Sequence, residues 1–198
     1  MAAETACGSK LWASLNYLLP DRGEDADGYY AGTAGTLRRR FDARNVVIAD
    51  IRDAAETFRL DKHGFQFVRR EGRFSKFDDW FLIIDQYYSE VNQLVKMHTG
   101  ATHVRAVQHL VRNETFESAL AEAEGKADSE PISKLAPGRL VHVDQSYAGA
   151  RGYMEEFVGR EEAEVLSKTR WAIVNVWKPI KTVSIREPVT CERDMRDY

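Results

Sequence analysis

Short runs in which apolar and polar residues alternate dominate the second half of the chain, and this pattern most limits the folds available to it. Such alternation is typical of β-strands that are buried on one face. It recurs over residues 104–111, 140–144 and 170–177, with no regular succession of strand and helix. A doubly wound parallel sheet is therefore disfavoured, because that fold needs a helix between successive strands. The sequence also contains no GxGxxG or GxxxxGK[ST] phosphate-binding loop.

The rest of the chain adds strand-like runs and two helical patterns. The further strand-like runs are residues 11–19, 46–50 and 65–68. The clearest helical pattern covers residues 79–98, and Gly100 is its natural stop. Its apolar side chains share one broad face: Trp80, Ile84, Tyr87, Tyr88, Val91, Leu94 and Val95. A second helix is predicted over residues 153–168. The expected fold class is therefore α+β and rich in strands, with flanking helices.

Composition and charge limit the partners and the compartment. The 198 residues include 28 basic and 31 acidic side chains, a formal net charge of −3. This balance does not predict a nucleic-acid-binding surface, and the one basic run, at residues 37–40, is typical of a solvated stretch. Cys7 and Cys191 form no CxxC motif, which favours a reducing compartment. No signal peptide or membrane span is recognisable, so we expect a cytoplasmic protein that binds neither nucleic acid nor a membrane.

The length of the chain suits one domain, and we predict a single domain over residues 1–198. Residues 20–43 are rich in Gly, Asp and Arg without any period, which indicates a long surface loop. Residues 113–138 are rich in Glu, Ala and Ser and have little to bury. They indicate a flexible insertion.

One pair of residues in the strand-like run 140–144 has the spacing of a metal site. Residues i and i+2 of a strand point to the same face, so His142 and Asp144 are expected to project side by side and to face inward. An imidazole and a carboxylate are two of the three ligands in the two-His-one-carboxylate triad that holds Fe(II). On the spacing alone, a surface strand with a salt-linked histidine is the favoured interpretation.

Several sequence blocks resemble one known family. The blocks are FRLDKHGF (residues 58–65), YYSEV (87–91), TGA (99–101), LVHVDQS (140–146) and RWAIVNVWKPI (170–180). Their order over residues 15–188 resembles the fungal AsaB-like hydroxylase/desaturase family, which also takes in gibberellin desaturases and proteins related to the cephem 7-methoxylase component.

This resemblance implies a non-haem Fe(II) enzyme with 2-oxoglutarate as cosubstrate, which hydroxylates or desaturates a small secondary metabolite. The implied core is a double-stranded β-helix, or jelly roll. His142 and Asp144 would be iron ligands. The pocket-lining residues that the resemblance implies are His109, Arg112, Arg170, Asn175, Trp177 and Lys178. Among these, Arg170 is the candidate for holding a carboxylate through a bidentate contact.

The sequence departs from the family pattern in two ways. Lys178 stands where the family often has Arg, and the two side chains present different donor geometries. Family members also continue further and carry a distal histidine, whereas no histidine follows Asp144 here. We therefore expect a jelly roll that is incomplete at its C-terminus, with an open sheet edge that favours self-association.

Two alternatives to an iron oxygenase follow from these departures. One is a truncated, non-catalytic relative that binds a small molecule or a partner chain. The other is a cupin-like protein in which His109 joins His142 and Asp144 around a different metal.

Overall fold

The computed structural model describes residues 10–19, 32–180 and 189. This part of the chain divides into two compact units. The first unit contains residues 10–19, 32–71, 110–141 and 189, and the second contains residues 72–109 and 142–180. The single domain over residues 1–198 stays a prediction.

The described residues contain two strands, with helices between and after them. In chain order they are β1 (Lys10–Tyr17), α1 (Ala34–Arg38), β2 (Asp42–Ala49), a 3-10 helix (Arg52–Thr57), α2 (Leu60–His63), α3, α4 (Phe116–Ala123), α5 (Tyr147–Val158) and α6 (Arg160–Leu166). Helix α3 has three parts: an α-helical start (Trp80–Leu82), a π-helical turn (Ile83–Tyr87) and a long α-helix (Tyr88–Thr99).

The first unit contains the two-stranded sheet. Strands β1 and β2 pair antiparallel, from Lys10 opposite Ala49 to Tyr17 opposite Asp42. Both strands were predicted, and β2 begins before the expected residue 46. Helix α1 lies inside the stretch predicted as a loop over residues 20–43, so that prediction is wrong for residues 34–38.

Helices α1 and α4 pack closely because small residues line their contact. Ala34, Ala119 and Ala123 are buried. Gly35 allows α1 to approach the segment that follows α4, since a Cβ at Gly35 would lie 2.8 Å from the Cβ of Asp128. The segment predicted as an insertion over residues 113–138 thus contains a packed helix, and its flexibility stays a prediction.

Arg38 ties α1 to the end of α4. Its guanidinium donates to the Asp128 carboxylate and to the carbonyl oxygens of Ala123 and Lys126, both at 2.8 Å. Carbonyls at a helix C-terminus lack partners within the helix, so a cation is favourable there. Arg38 is exposed, as expected for the solvated basic run, and it also makes these specific contacts.

The second unit is organised around α3. Its N-terminus is capped by Asp79, whose carboxylate accepts from the Leu82 N–H at 3.0 Å, and it ends at Gly100 with φ of 70°. Both ends were predicted. The buried residue is Ile83, however, whereas Trp80 and Ile84 of the predicted face are exposed. The π-helical turn adds a residue to one turn, so a face drawn at 3.6 residues per turn is not continuous across it.

The helix predicted over residues 153–168 forms as two helices. Helix α5 begins earlier because the Ser146 hydroxyl accepts from the Gly149 N–H and caps it. Gly159, with φ of 85°, separates α5 from α6. Ala163 of α6 is buried.

Four strand predictions are wrong within the described residues: residues 65–68, 104–111, 140–144 and 170–177 have no strand assignment. Alternation of apolar and polar residues is not sufficient for a strand, because a strand also needs a hydrogen-bonded partner strand along its length. Single hydrogen bonds hold two of these segments instead. In the first unit the Val141 N–H donates to the Asn16 carbonyl at 2.8 Å, and in the second the Ala106 N–H donates to the Asn92 side chain at 2.7 Å.

The described residues therefore form a mixed helix-and-sheet fold with more helix than strand. The expectation of a strand-rich fold is wrong for them, and they do not show a jelly-roll core. None of the helices in the described ranges has the length and apolar character needed to cross a membrane.

Candidate active site

The second unit brings His142, Asp144 and Asn175 together. His142 Nε2 lies 3.2 Å from Asp144 Oδ1, and Asn175 Nδ2 donates to Asp144 Oδ2 at 2.5 Å. The two oxygens of one carboxylate therefore have different neighbours. The two contacts fix the orientation of the Asp144 carboxylate, because rotating it would break the hydrogen bond from Asn175 or the contact with His142.

The pair does not face inward as expected. The side chains of His142 and Asp144 are 48% and 49% exposed. Residues 140–144 are not part of a sheet. The two side chains lie side by side, as the spacing predicted. A shared strand does not hold them there; they are held by their mutual contact and by the hydrogen bond from Asn175.

His109 lies in a separate aromatic setting in the same unit. Its ring centroid is 3.9 Å from that of Trp80, and its Nδ1 lies 3.0 Å from the Tyr88 hydroxyl. Nε2 is buried and has no hydrogen-bond partner among the described residues. Burial lowers the pKa of His109, because a charged imidazole loses solvation there.

Tyr153 of α5 connects this setting to Asp144. Its hydroxyl donates to Gln108 Oε1 at 3.0 Å. Burial raises the pKa of Tyr153, and the negative charges of Glu156 and Asp144 raise it further. Burial also raises the pKa of Tyr88, with a smaller contribution from Tyr153. These interactions place Tyr153 within electrostatic range of both Tyr88 and Asp144.

Lys178 occupies an aromatic cluster. Its ammonium lies 5.1 Å from the Phe77 ring centroid and 5.2 Å from that of Tyr87. Phe74 completes the cluster, and its ring stacks on Tyr87 at 5.5 Å. Burial raises the pKa of Tyr87, and Glu90 adds to this rise. Lys178 is therefore held by packing and cation–π attraction.

The remaining predicted residues are less constrained. Arg170 is exposed and makes no ion pair within the described chain. Trp177 is 57% exposed. Arg112 belongs to the first unit, where its guanidinium lies near Gly138.

His142 and Asp144 supply two donors for the iron that the sequence resemblance implies. A metal bound about 2.0–2.2 Å from a histidine nitrogen and a carboxylate oxygen separates adjacent ligands by about 3 Å. The 3.2 Å between His142 Nε2 and Asp144 Oδ1 fits two neighbouring positions around one ion. Among the described residues, no three His, Cys, Asp or Glu side chains form a metal-binding group. The structure does not group His109 with His142 and Asp144, and the cupin-like alternative stays a prediction.

Sequence reasoning missed Trp80, Gln108, Tyr88 and Tyr153 as site residues. Trp80 and Tyr88 were assigned to a packing face of α3, and Tyr153 to the start of a helix. One signal was available. A phenol on an otherwise apolar helical face needs a hydrogen-bond partner when it is buried, and such partners are often polar site residues.

Comparison with known proteins identifies the class. The family model described as an oxidoreductase/YMDC permease-like domain matches residues 15–196. The chain therefore belongs to this oxidoreductase family. The predicted resemblance to fungal hydroxylase/desaturases is also confirmed by individual relatives.

The chain is 36% identical over 185 residues to "Hydroxylase/desaturase CTB9" of Cercospora beticola, covering 92% of this chain and 57% of that relative. It is 32% identical over 154 residues to "Alpha-ketoglutarate-dependent dioxygenase phiK" of Fungal sp. (strain ATCC 74256), covering 77% and 51%. It is 28% identical over 186 residues to "Fe(II)/2-oxoglutarate-dependent dioxygenase nvfI" of Aspergillus novofumigatus (strain IBT 16806), covering 87% and 61%. The chain thus spans little more than half the length of these relatives.

Proposed function

We propose that this chain carries part or all of the active site of an Fe(II)/2-oxoglutarate-dependent oxidoreductase that hydroxylates or desaturates a small organic molecule. The observation that carries the proposal is the pairing of His142 Nε2 with Asp144 Oδ1 at 3.2 Å, with Asn175 occupying the other carboxylate oxygen. The names of the relatives support the same chemistry.

His142 and Asp144 are the residues that would hold the metal. Fe(II) bound there, with 2-oxoglutarate and O₂, supplies the oxidising equivalents for hydroxylation or desaturation, and 2-oxoglutarate becomes succinate and CO₂. Asn175 keeps Oδ2 of Asp144 engaged, so that Oδ1 is the oxygen presented beside the imidazole. Partners of this kind commonly orient metal-binding carboxylates.

Arg170 is the residue that we assign to the cosubstrate. A guanidinium binds a carboxylate through two parallel hydrogen bonds, and Arg170 is exposed without an ion pair in the described ranges. Lys178 is engaged with Phe77 and Tyr87, which makes it a weaker candidate for the same role. Trp177, which is largely exposed, offers an apolar surface for the substrate.

We also propose that the family fold has a double-stranded β-helix core, because two of the relatives are named as 2-oxoglutarate-dependent dioxygenases. Such a core would form one oxygenase domain.

Succinate release tests the proposed function. The purified chain is incubated with Fe(II), ascorbate and 2-oxoglutarate in air, and succinate is quantified by mass spectrometry. We expect slow release without added substrate, and a fall of about tenfold or more in His142→Ala. His103→Ala is the matched control, because His103 is an exposed histidine of the same unit whose Nδ1 contacts only the neighbouring Thr102 hydroxyl. Release that is absent, or equal in all three proteins, would contradict the proposal.

A further inference from the structure

Only one of the two ring nitrogens of His109 has a hydrogen-bond partner among the described residues. Nδ1 lies 3.0 Å from the Tyr88 hydroxyl. Nε2 is buried without a hydrogen-bond partner among the described residues. A buried polar atom left unpaired destabilises the fold, so its retention calls for a functional explanation such as a bound ligand.

Tyr88 determines which nitrogen carries the proton. Burial lowers the pKa of His109, so the imidazole is neutral at neutral pH. Burial raises the pKa of Tyr88, so its phenol keeps its proton. A phenol is a stronger donor than acceptor, and it therefore donates to Nδ1. The single imidazole proton is then on Nε2, which becomes a neutral N–H donor.

The surroundings of the His109 Nε2–H donor favour an uncharged ligand. The ring is packed against Trp80, and Nε2 is buried. A buried anion is costly without a cation beside it. An uncharged acceptor, such as a carbonyl oxygen, does not carry this penalty.

We propose that His109 Nε2–H binds an uncharged acceptor oxygen of the substrate, and that Tyr88 is the positioning residue that presents it. The inference rests on the proposed function, because it assigns a substrate contact in the unit that contains His142 and Asp144. Trp80 controls access. Its indole lies on the imidazole and is 54% exposed, so rotation of one surface side chain opens the nitrogen to a ligand.

Nitrogen NMR of the metal-free chain, labelled with ¹⁵N-histidine, tests both the tautomer of His109 and its binding of an uncharged oxygen. His109→Leu identifies the His109 signals. We expect the free protein to show the tautomer protonated at Nε2. Cyclohexanone, which offers a carbonyl oxygen, should shift the Nε2 signal. Methylenecyclohexane, which has the same shape without the oxygen, and 2-oxoglutarate should not.

Tyr88→Phe tests the positioning role. We expect a mixture of the two tautomers and about three- to tenfold weaker cyclohexanone binding, the loss typical of one hydrogen bond. Tyr87→Phe is the matched control, because it removes a neighbouring phenol of the same helix and leaves the Tyr88 contact intact. If Tyr88→Phe does not fold, the tautomer and the ketone response of the unsubstituted chain still decide the proposal.

Four results would overturn the proposal. These are protonation at Nδ1, no shift with any compound, equal shifts with the ketone and its hydrocarbon analogue, or a shift with 2-oxoglutarate in place of the ketone. Iron is absent from this experiment, so its failure is distinct from failure of the proposed function. A ketone response without succinate release would contradict only the latter.

Discussion

Asn175 and Asp144, 31 residues apart in the sequence, are joined by a hydrogen bond from Nδ2 to Oδ2. The other carboxylate oxygen lies beside His142. The family resemblance named Asn175 only as a pocket-lining residue. Its contact gives it a more specific role, because a neutral amide can fix the direction of a carboxylate without cancelling its charge.

Replacing Asn175 with Ala should therefore weaken metal binding. The carboxylate of Asp144 would be free to rotate, and loss of such a supporting partner commonly costs 10- to 100-fold in metal affinity. We expect about tenfold weaker Mn²⁺ binding, measured by calorimetry with Mn²⁺ as an air-stable probe. Asn113→Ala, at an exposed asparagine of the first unit, should bind as the unsubstituted chain does. Equal affinities in all three proteins would show that Asn175 does not orient the ligand.

Lys178 should stabilise the second unit and not bind the metal. Lys178→Met keeps the length of the side chain but removes the cation over Phe77 and Tyr87. The expected loss is about 0.5–2 kcal/mol in the free energy of unfolding. Urea titration gives this value, and Mn²⁺ affinity should change less than twofold. Lys76→Met, an exposed lysine of the same unit, should leave stability unchanged. A large drop in 2-oxoglutarate affinity with unchanged stability would instead assign Lys178 to the cosubstrate.

The elements that were predictable from sequence are those fixed by neighbouring residues. Helix α3 is an example, since the Asp79 cap and Gly100 lie at its two ends. The π-helical turn was not predictable, because it follows from packing around Ile83. The extended segments were misassigned because alternation does not specify a strand partner.

In the candidate site, too, the local features were predictable and the contacts between distant residues were not. Residues 142 and 144 are two apart, so their proximity was predictable from spacing. The bond from Asn175 and the contact between Tyr88 and His109 join residues 31 and 21 positions apart. No local pattern encodes such contacts. The exposure of His142 and Asp144 was also missed, because burial depends on what packs over residues 140–144.

The two-stranded sheet should promote self-association. Trp12 is 75% exposed, and Val47, directly opposite it in the register, is 48% exposed. No third strand pairs with β1 or β2 in the described ranges. An open edge beside an exposed apolar pair is a typical site of edge-to-edge pairing.

Trp12→Ser tests this in sedimentation velocity at several protein concentrations. We expect about tenfold weaker association, because a tryptophan is among the side chains that contribute most at interfaces. Ser14→Ala changes a neighbouring position on the same face without removing apolar surface, and it should sediment as the unsubstituted chain does. Concentration-independent sedimentation of the unsubstituted chain would contradict the prediction.

Glu122 should make the first unit sensitive to acid. Its carboxylate accepts from the N–H groups of Ser133 and Lys134, at 2.8 and 2.9 Å, and from the Lys126 ammonium at 2.9 Å. The Ser133 N–H and then Lys126 lower the pKa of Glu122 from 4.5 to about 2. The folded chain therefore holds this proton less tightly than the unfolded chain. The stabilisation is present above pH 4.5 and is lost as the pH falls toward 2.

The Ser133 amide proton should follow this titration in NMR spectra, with a midpoint near pH 2. Glu122→Gln should remove the midpoint and reduce the fall in unfolding free energy between pH 4.5 and 2, measured by urea titration. Glu124→Gln changes an exposed glutamate close by and should keep both effects. A Ser133 midpoint at the ordinary value of 4.5 would mean that Glu122 is not held by these donors, because an unengaged carboxylate titrates as it does in the unfolded chain.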